Sequence, residues 1–374
     1  MTATRHPGEL AVAAVRGLAP YVPGKPAAEL ERELGISGVA KLASNENPYG
    51  PSPRALEAMQ AALAQIWLYP DGASHELKQA LAHHLGVAEA RLTVGNGSND
   101  LLVLLAEGFL TPAHNAVFSQ YGFAIYRIVT QATGARCVEV PALGLADGMP
   151  LGHDLAAMTA AIDGATRLVF VANPNNPTGT WAPPAAIKRL IERAPPSTLV
   201  VLDEAYVEYG RERGSQDGVP WLEQHPNLVI VRTFSKAYGL AGARVGYAIS
   251  HPEVADALNR LRPAFNVNSV AQAGAAAALG DQTYMRRIVA TTLQELTRVE
   301  AALKGMKLWC APSACNFLLV RVGSEAQRVY ERLLRVGLIV RPVGGYGLRE
   351  YLRVSIGLPQ ENDRLLRELA VLLA

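Results

Sequence analysis

A chain of 374 residues, 49% of them hydrophobic, has material for more than one core, which predicts a large domain with a smaller companion. Its 35 basic and 33 acidic side chains leave a net charge of +2, so the balance gives no reason to invoke nucleic acid or an anionic membrane as partner. Cys137, Cys310 and Cys315 are too few and too oddly numbered for a disulfide framework and fit a reducing compartment.

Taken in chain order, residues 1–24 read as a polar arm closed by Pro20, Pro23 and Gly24. No basic segment there leads into a continuous apolar run, so no signal peptide is expected. From about residue 50, short β-branched runs alternate with segments of helical spacing. The runs are 91–94, 116–118, 136–140, 167–171, 198–202, 228–231 and 245–249, and the helical segments include 101–109, 123–133, 155–162 and 185–193. That alternation predicts an α/β fold, a mostly parallel seven-stranded sheet flanked by helices.

Beyond about residue 262 the pattern changes to one long helix near 281–304, shorter strands at 317–322, 338–341 and 351–355, and two amphipathic helices. This predicts a smaller α+β domain. The division expected is 1–49 as arm and part of the small domain, 50–262 as the large domain, and 263–374 as the small C-terminal domain. The alanine-rich run 272–280 is about half a membrane span, so the chain is expected to be soluble and cytoplasmic. Its eight histidines form no HExxH-type face, and Cys310 and Cys315 lack the second pair of a zinc knuckle; no metal site is expected and the thiols should be buried.

Conspicuous polar residues follow the strand-like runs, where ligands of such sheets bind. Thr233-Phe-Ser-Lys236 directly follows one of them. A lysine past a strand end is ordinarily a solvated charge, but hydroxyls flank this one and Arg244 lies eight residues on, within Gly239-Leu-Ala-Gly-Ala-Arg-Val-Gly246. Hydroxyls and a guanidinium together can hold a phosphate dianion. Leu199-Val-Val-Leu-Asp203 ends an apolar strand on a carboxylate suited to a protonated ring nitrogen, and Tyr206 follows three residues later. Asn173-Pro-Asn-Asn176-Pro-Thr-Gly179 reads equally as a plain turn or as an amide donor on a stiff loop. Gly95-Asn-Gly-Ser98-Asn99 opens a helix and offers amides to an anion.

In that order these motifs resemble the fold-type I pyridoxal-phosphate (PLP) aminotransferases. Leu42-Ala-Ser-Asn-Glu-Asn-Pro-Tyr-Gly50, Tyr69-Pro-Asp-Gly72, Ala314-Cys-Asn-Phe317 and Leu352-Arg-Val-Ser-Ile-Gly357 are similar to the histidinol-phosphate aminotransferase branch. The resemblance runs from about Leu18 to the C-terminus. It implies that residues 50–262 bind PLP, that Lys236 holds it covalently and moves a proton, and that Asp203 pairs with the ring nitrogen. Tyr206 and Asn176 would contact the ring oxygen. Ser98, Asn99, Thr233, Ser235 and Arg244 would hold the phosphate. Tyr121 would stack on the ring, although the usual Pro-Thr-Tyr reads Ser-Gln-Tyr here. Tyr69 would reach the cofactor of a partner subunit, making the protein a homodimer. For the substrate, Arg353 would grip a carboxylate oriented by Asn316, with Arg341 and Tyr21 on a phosphate and Asn47 nearby. The reaction implied converts L-histidinol phosphate and 2-oxoglutarate to imidazole acetol phosphate and L-glutamate, in histidine biosynthesis.

Two other readings fail on spacing. A P-loop ATPase needs GxxxxGK[ST], and the Gly24-Lys25 pair runs into Pro26; a dinucleotide loop needs a third glycine where Asp100 stands. Aromatic-amino-acid aminotransferases and threonine-phosphate decarboxylases share the cofactor motifs and remain alternatives at this point.

Overall fold

The computed structural model describes residues 7–373; residues 1–6 of the expected arm and Ala374 lie outside the described residues. The sheet has seven strands in the spatial order Leu92–Gly95, Gly246–Ile249, Leu228–Thr233, Leu199–Asp203, Thr166–Ala172, Asn115–Ser119, Arg136–Val140. Only Gly246–Ile249 runs against its neighbours. Helices cover both faces, so the inner strands are buried throughout and read in sequence as unbroken apolar runs rather than alternating ones.

Three adjacent parallel strands position the chemistry. Ala172 pairs with Asp203, and Asp203 pairs with Val231, so the loops leaving these strands emerge side by side at one edge of the sheet. Asp203 and Glu204 then diverge. Glu204 accepts from Arg232 Nε at 2.8 Å and from the Gly218 amide at 2.8 Å, a fully buried pair that fixes the backbone beneath the site. Breaking such a pair would strand a buried charge, which makes it a firm local anchor.

The smaller unit carries a four-stranded antiparallel sheet ordered Arg341–Pro342, Tyr351–Ser355, Phe317–Arg321, Trp309–Cys310, covered by Ala326–Arg335 and Pro359–Leu373. The expected strand 338–341 is divided. Leu338–Ile339 pairs in parallel with Ala40–Lys41, while Arg341–Pro342 pairs with the antiparallel sheet. Cys310 and Cys315 are buried and unpaired.

Residue 262 does not separate the two cores. The helix Ser269–Leu279 packs on Pro53–Leu63 and His75–Leu85, burying Ala271, Ala275 and Ala278 in the larger core. Within Gln282–Gly305, Met285, Val289 and Leu293 join that same core, whereas Leu296, Val299 and Leu303 join the smaller one. We propose that the two units meet inside this helix. Among the described residues, no helix is long and apolar enough to cross a membrane.

Candidate active site

A cavity of about 300 Å³ opens at the carboxyl edge of the sheet, between the two units. Lys236, Asp203, Tyr206, Asn176 and the buried Arg353 line it together, with Ser98, Asn99, Thr233, Ser235 and Arg244 forming an anion cradle and the more exposed Tyr21 and Arg341 completing the lining.

At the cradle, Gly97 caps the helix Ser98–Phe109 at a φ of 82° that favours glycine, and a Cβ there would strike the Arg244 guanidinium. Arg244 itself is held left-handed, at φ 59°, and its Nη1 donates to Ser235 Oγ at 3.3 Å. Thr233 Oγ1 donates to Ser235 Oγ at 2.9 Å. The helix terminus, two hydroxyls and a guanidinium make an anion cradle whose five residues include no carboxylate.

Lys236 is half-buried, with Nζ 3.2 Å from the Ser44 carbonyl oxygen and 5.7 Å from the centre of the Tyr206 ring. Burial lowers its pKa to about 8; Arg353 and Arg244 push the same way, and Glu46 opposes them. Asp203 moves oppositely: burial raises its carboxyl to about 6, against hydrogen bonds from Tyr126 and the Ala205 amide and the charge of Lys236. Tyr206 is pushed up by burial and keeps its proton. The Asn45 amide donates to Tyr206 Oη at 2.9 Å, which leaves the phenol O–H free to donate to a ligand. Asn176 Oδ1 accepts from Arg353, so the N–H groups of its amide remain for a ligand as well. Arg353 also donates to the Ala43 carbonyl at 2.6 Å, and its Nε is a buried donor with no partner among the described residues.

Four expected residues sit outside this lining. Tyr121 packs with the apolar cluster around Leu151, Leu319 and Val343, and its carbonyl accepts from Asn175 at 2.9 Å. Phe123 lines the cavity in its place, because the Tyr-Gly-Phe stretch turns once more before the helix Ala124–Ala132 begins. Asn47 donates to the Ala237 carbonyl at 3.0 Å and accepts from the Tyr49 amide at 2.9 Å; it ties the 44–50 loop to the lysine segment instead of facing the cavity. Asn45, two residues earlier, is the one that faces it. Asn316 acts through Asn45, donating to its carbonyl at 3.1 Å. Tyr69 is 82% exposed and stacks on Phe265, with ring centres 4.8 Å apart.

The sequence motifs did not single out Asn45, Phe123 or Tyr126. Asn45 is buried at φ 56°, a conformation asparagine tolerates better than most residues, and is locked by the Ser355 hydroxyl, which accepts from its amide and donates to its Oδ1, each at 2.8 Å. Its signal lay inside the quoted 42–50 motif. Phe123 and Tyr126 had none beyond aromatic character.

The donor set fits PLP: a cradle for a phosphate, a buried carboxylate for a ring nitrogen, phenol and amide donors for a ring oxygen, and a half-buried lysine between them. Those residues could hold it.

Comparison with known proteins agrees with this geometry. Residues 37–369 match the family model described as aminotransferase class I and II. Histidinol-phosphate aminotransferase 2 of Pseudomonas aeruginosa is 53% identical over 367 residues, covering 98% of both chains. Histidinol-phosphate aminotransferase 1 of Nitrosococcus oceani is 47% identical over 365 residues, covering 98% of this chain and 97% of its own. The crystal structure of histidinol-phosphate aminotransferase from Sinorhizobium meliloti, in complex with pyridoxal-5'-phosphate, superposes with a TM-score of 0.89 at 34% identity over 98% of each chain. With the matched span taking in the lysine, the aspartate, the anion cradle and Arg353, the chain belongs to the aminotransferase class I and II family.

Proposed function

We propose that this protein is a PLP-dependent transaminase that moves the amino group of L-histidinol phosphate to 2-oxoglutarate. The observation that carries the reading is the cavity itself, with Lys236 set between an anion cradle and a buried carboxylate, and Arg353 and Arg341 in the same lining. Full-length identity of about half to curated relatives of that name supports the choice of substrate.

Bound PLP supplies an electron sink for the charge left when a proton leaves the substrate Cα. The chain supplies the rest. Ser98, Asn99, Thr233, Ser235 and Arg244 bind the phosphate, Asp203 holds a proton on the ring nitrogen, and Tyr206 and Asn176 donate to the ring oxygen. Phe123 walls the ring. Lys236 holds the cofactor covalently and moves the proton at Cα, a role suited to an amine whose burial brings its pKa down to about 8.

The amino donor and acceptor differ in charge: glutamate presents carboxylates, histidinol phosphate a phosphate ester. A guanidinium meets both with the same fork, so Arg353 serves every substrate. Arg341 stands in the same lining, donating to the Val22 carbonyl at 2.6 Å and lying 5.8 Å from the centre of the Tyr21 ring. Losing one charge-assisted contact costs roughly 10- to 150-fold in kcat/KM. Arg341→Ala should therefore depress histidinol phosphate and glutamate turnover by that amount and leave any phenylalanine turnover within a few fold. A uniform fall would mean that Arg341 only tethers the arm. The same panel on wild-type protein, with histidinol phosphate against phenylalanine, tyrosine and aspartate, tests the function. A tenfold preference for phenylalanine would replace histidinol phosphate with an aromatic amino acid as substrate.

The assembly we propose is a homodimer with a shared site. Trp67 is 79% exposed and Tyr69 82%, in a run with Leu63, Ile66 and Leu68 that is too apolar for an ordinary solvated face. Mixing Lys236→Ala chains with Tyr69→Phe chains should give hybrids in which one site has both its lysine and its tyrosine, and activity should exceed that of either parent. Hybrids verified by mass that show no gain would remove Tyr69 from the neighbouring site.

A further inference from the structure

We propose that Tyr126 is the positioning residue for Asp203, fixing the direction of its carboxylate and keeping it ionised; this rests on the reading of Asp203 as the ring-nitrogen partner. Tyr126 comes from the helix Ala124–Ala132, far in sequence from the strand that ends at Asp203, and its hydroxyl donates to Asp203 Oδ2 at 2.8 Å. Asp203 Oδ1 accepts from the Ala205 amide at 3.2 Å. Each oxygen thus has one fixed donor, which sets the plane of the carboxylate and leaves its remaining lone pairs toward the cavity.

The phenol has little freedom to do anything else. Its ring is fully buried, stacks on Phe170 with centres 4.8 Å apart and planes 4° from parallel, and meets the edge of Phe123 at 6.0 Å and 89°. Phe123 also lines the cavity, so one helix turn supplies both a wall residue and the grip on the carboxylate.

Electrostatics give the contact a purpose. The groups that face Asp203 are Tyr126 from that helix, the Ala205 amide and Tyr206 from the turn after its own strand, and Lys236 from the turn after the next; Tyr346 faces Tyr126 from the smaller unit. Among them only Lys236 is a cation, and with its pKa lowered to about 8 that charge is lost as pH rises through that value. Burial alone drives the Asp203 carboxyl upward, and the Tyr126 hydrogen bond is the leading influence that holds it down. Tyr126 stays protonated, its own pKa raised by burial and by Asp203, so it remains a donor throughout the working range.

The test compares Tyr126→Phe, which keeps the stacked ring and loses only the hydroxyl, with site-specific 3-fluorotyrosine, a stronger donor of nearly the same shape. Infrared difference spectra of the full-length, cofactor-free protein, with Asp203→Asn to identify the band, read the protonation midpoint of Asp203. Equilibrium dialysis against pH reads PLP affinity. Tyr126→Phe should move the midpoint up by about one unit and weaken PLP binding about tenfold at neutral pH, the loss one charged hydrogen bond produces; 3-fluorotyrosine should move the midpoint down. A residue that only fills space would change thermal stability and leave the midpoint where it was, and that result overturns the proposal. If Asp203→Asn binds PLP as tightly as the parent at every pH, the reading of Asp203 fails and takes the proposal with it, an outcome separate from an unmoved midpoint in Tyr126→Phe.

Discussion

Replacing Lys236 with alanine should leave a folded protein that still takes up PLP and no longer transaminates, with turnover down about ten-thousandfold or more. The cradle of Ser98, Asn99, Thr233, Ser235 and Arg244 does not depend on the lysine side chain, so equilibrium dialysis should still find the cofactor bound. What disappears is the only amine among the described residues that line the cavity. A positioned general base alone contributes about 10²- to 10⁴-fold, and covalent capture is lost with it. The lowered pKa gives an independent check, because an amine attacks only when neutral. With its pKa at about 8, Lys236 should react with acetic anhydride in cofactor-free protein at a rate that rises to half its maximum near that pH, well below the range of surface lysines. Measurable turnover in Lys236→Ala, or borohydride fixing the cofactor to another lysine, would remove Lys236 from its role.

The sheet was legible because each inner strand is buried on both faces and must be written in β-branched residues; all seven expected runs lie within a residue or two of the observed strands. The residues at the strand ends were legible only as a set: a lysine, a carboxylate or an Asn-Pro turn after a strand is ordinary alone, and it is their occurrence at the ends of several runs, with Arg244 close by, that marked the site. Contacts that join distant segments left no such mark. Asn45 reaches Tyr206 across 161 residues and Tyr126 reaches Asp203 across 77, and neither partner's neighbourhood records the other. Tyr121 and Phe123 are both aromatic and two residues apart; which one faces the cavity depends on a turn whose shape the composition does not encode. The same holds for Ser269–Leu279, where small residues permit close approach to another helix without saying which core that helix belongs to. Splitting 338–341 between two sheets is likewise a choice of partner, and register with Ala40–Lys41 is fixed by a segment about 300 residues away.

Asp203→Asn should cost about a thousandfold in turnover, near 4 kcal/mol of transition-state stabilisation, while making the cofactor-free protein more stable. Both effects follow from one buried charge. An amide is close to isosteric and can keep its oxygen on the Ala205 amide while its nitrogen donates to the Tyr126 hydroxyl, so the fold should survive. It brings no charge to hold a proton on the ring nitrogen. The loss should fall on kcat and be nearly equal for histidinol phosphate and glutamate, because the group acts on the cofactor they share; Arg341→Ala, by contrast, discriminates among substrates. The stability effect follows from linkage. The folded-state pKa of Asp203, about 6, lies above the ordinary value of 3.8, so above about pH 6 the folded protein bears the full penalty of the buried carboxylate and below about pH 4 it bears none. Asparagine removes that penalty. Denaturant titrations of the cofactor-free proteins should show the variant more stable at pH 7, by on the order of 2–3 kcal/mol, with the gain shrinking as pH falls from 6 to 4. Near-normal turnover would exclude Asp203 as the ring-nitrogen partner. A stability difference that does not vary with pH would show that its carboxyl titrates alike in the folded and unfolded chains.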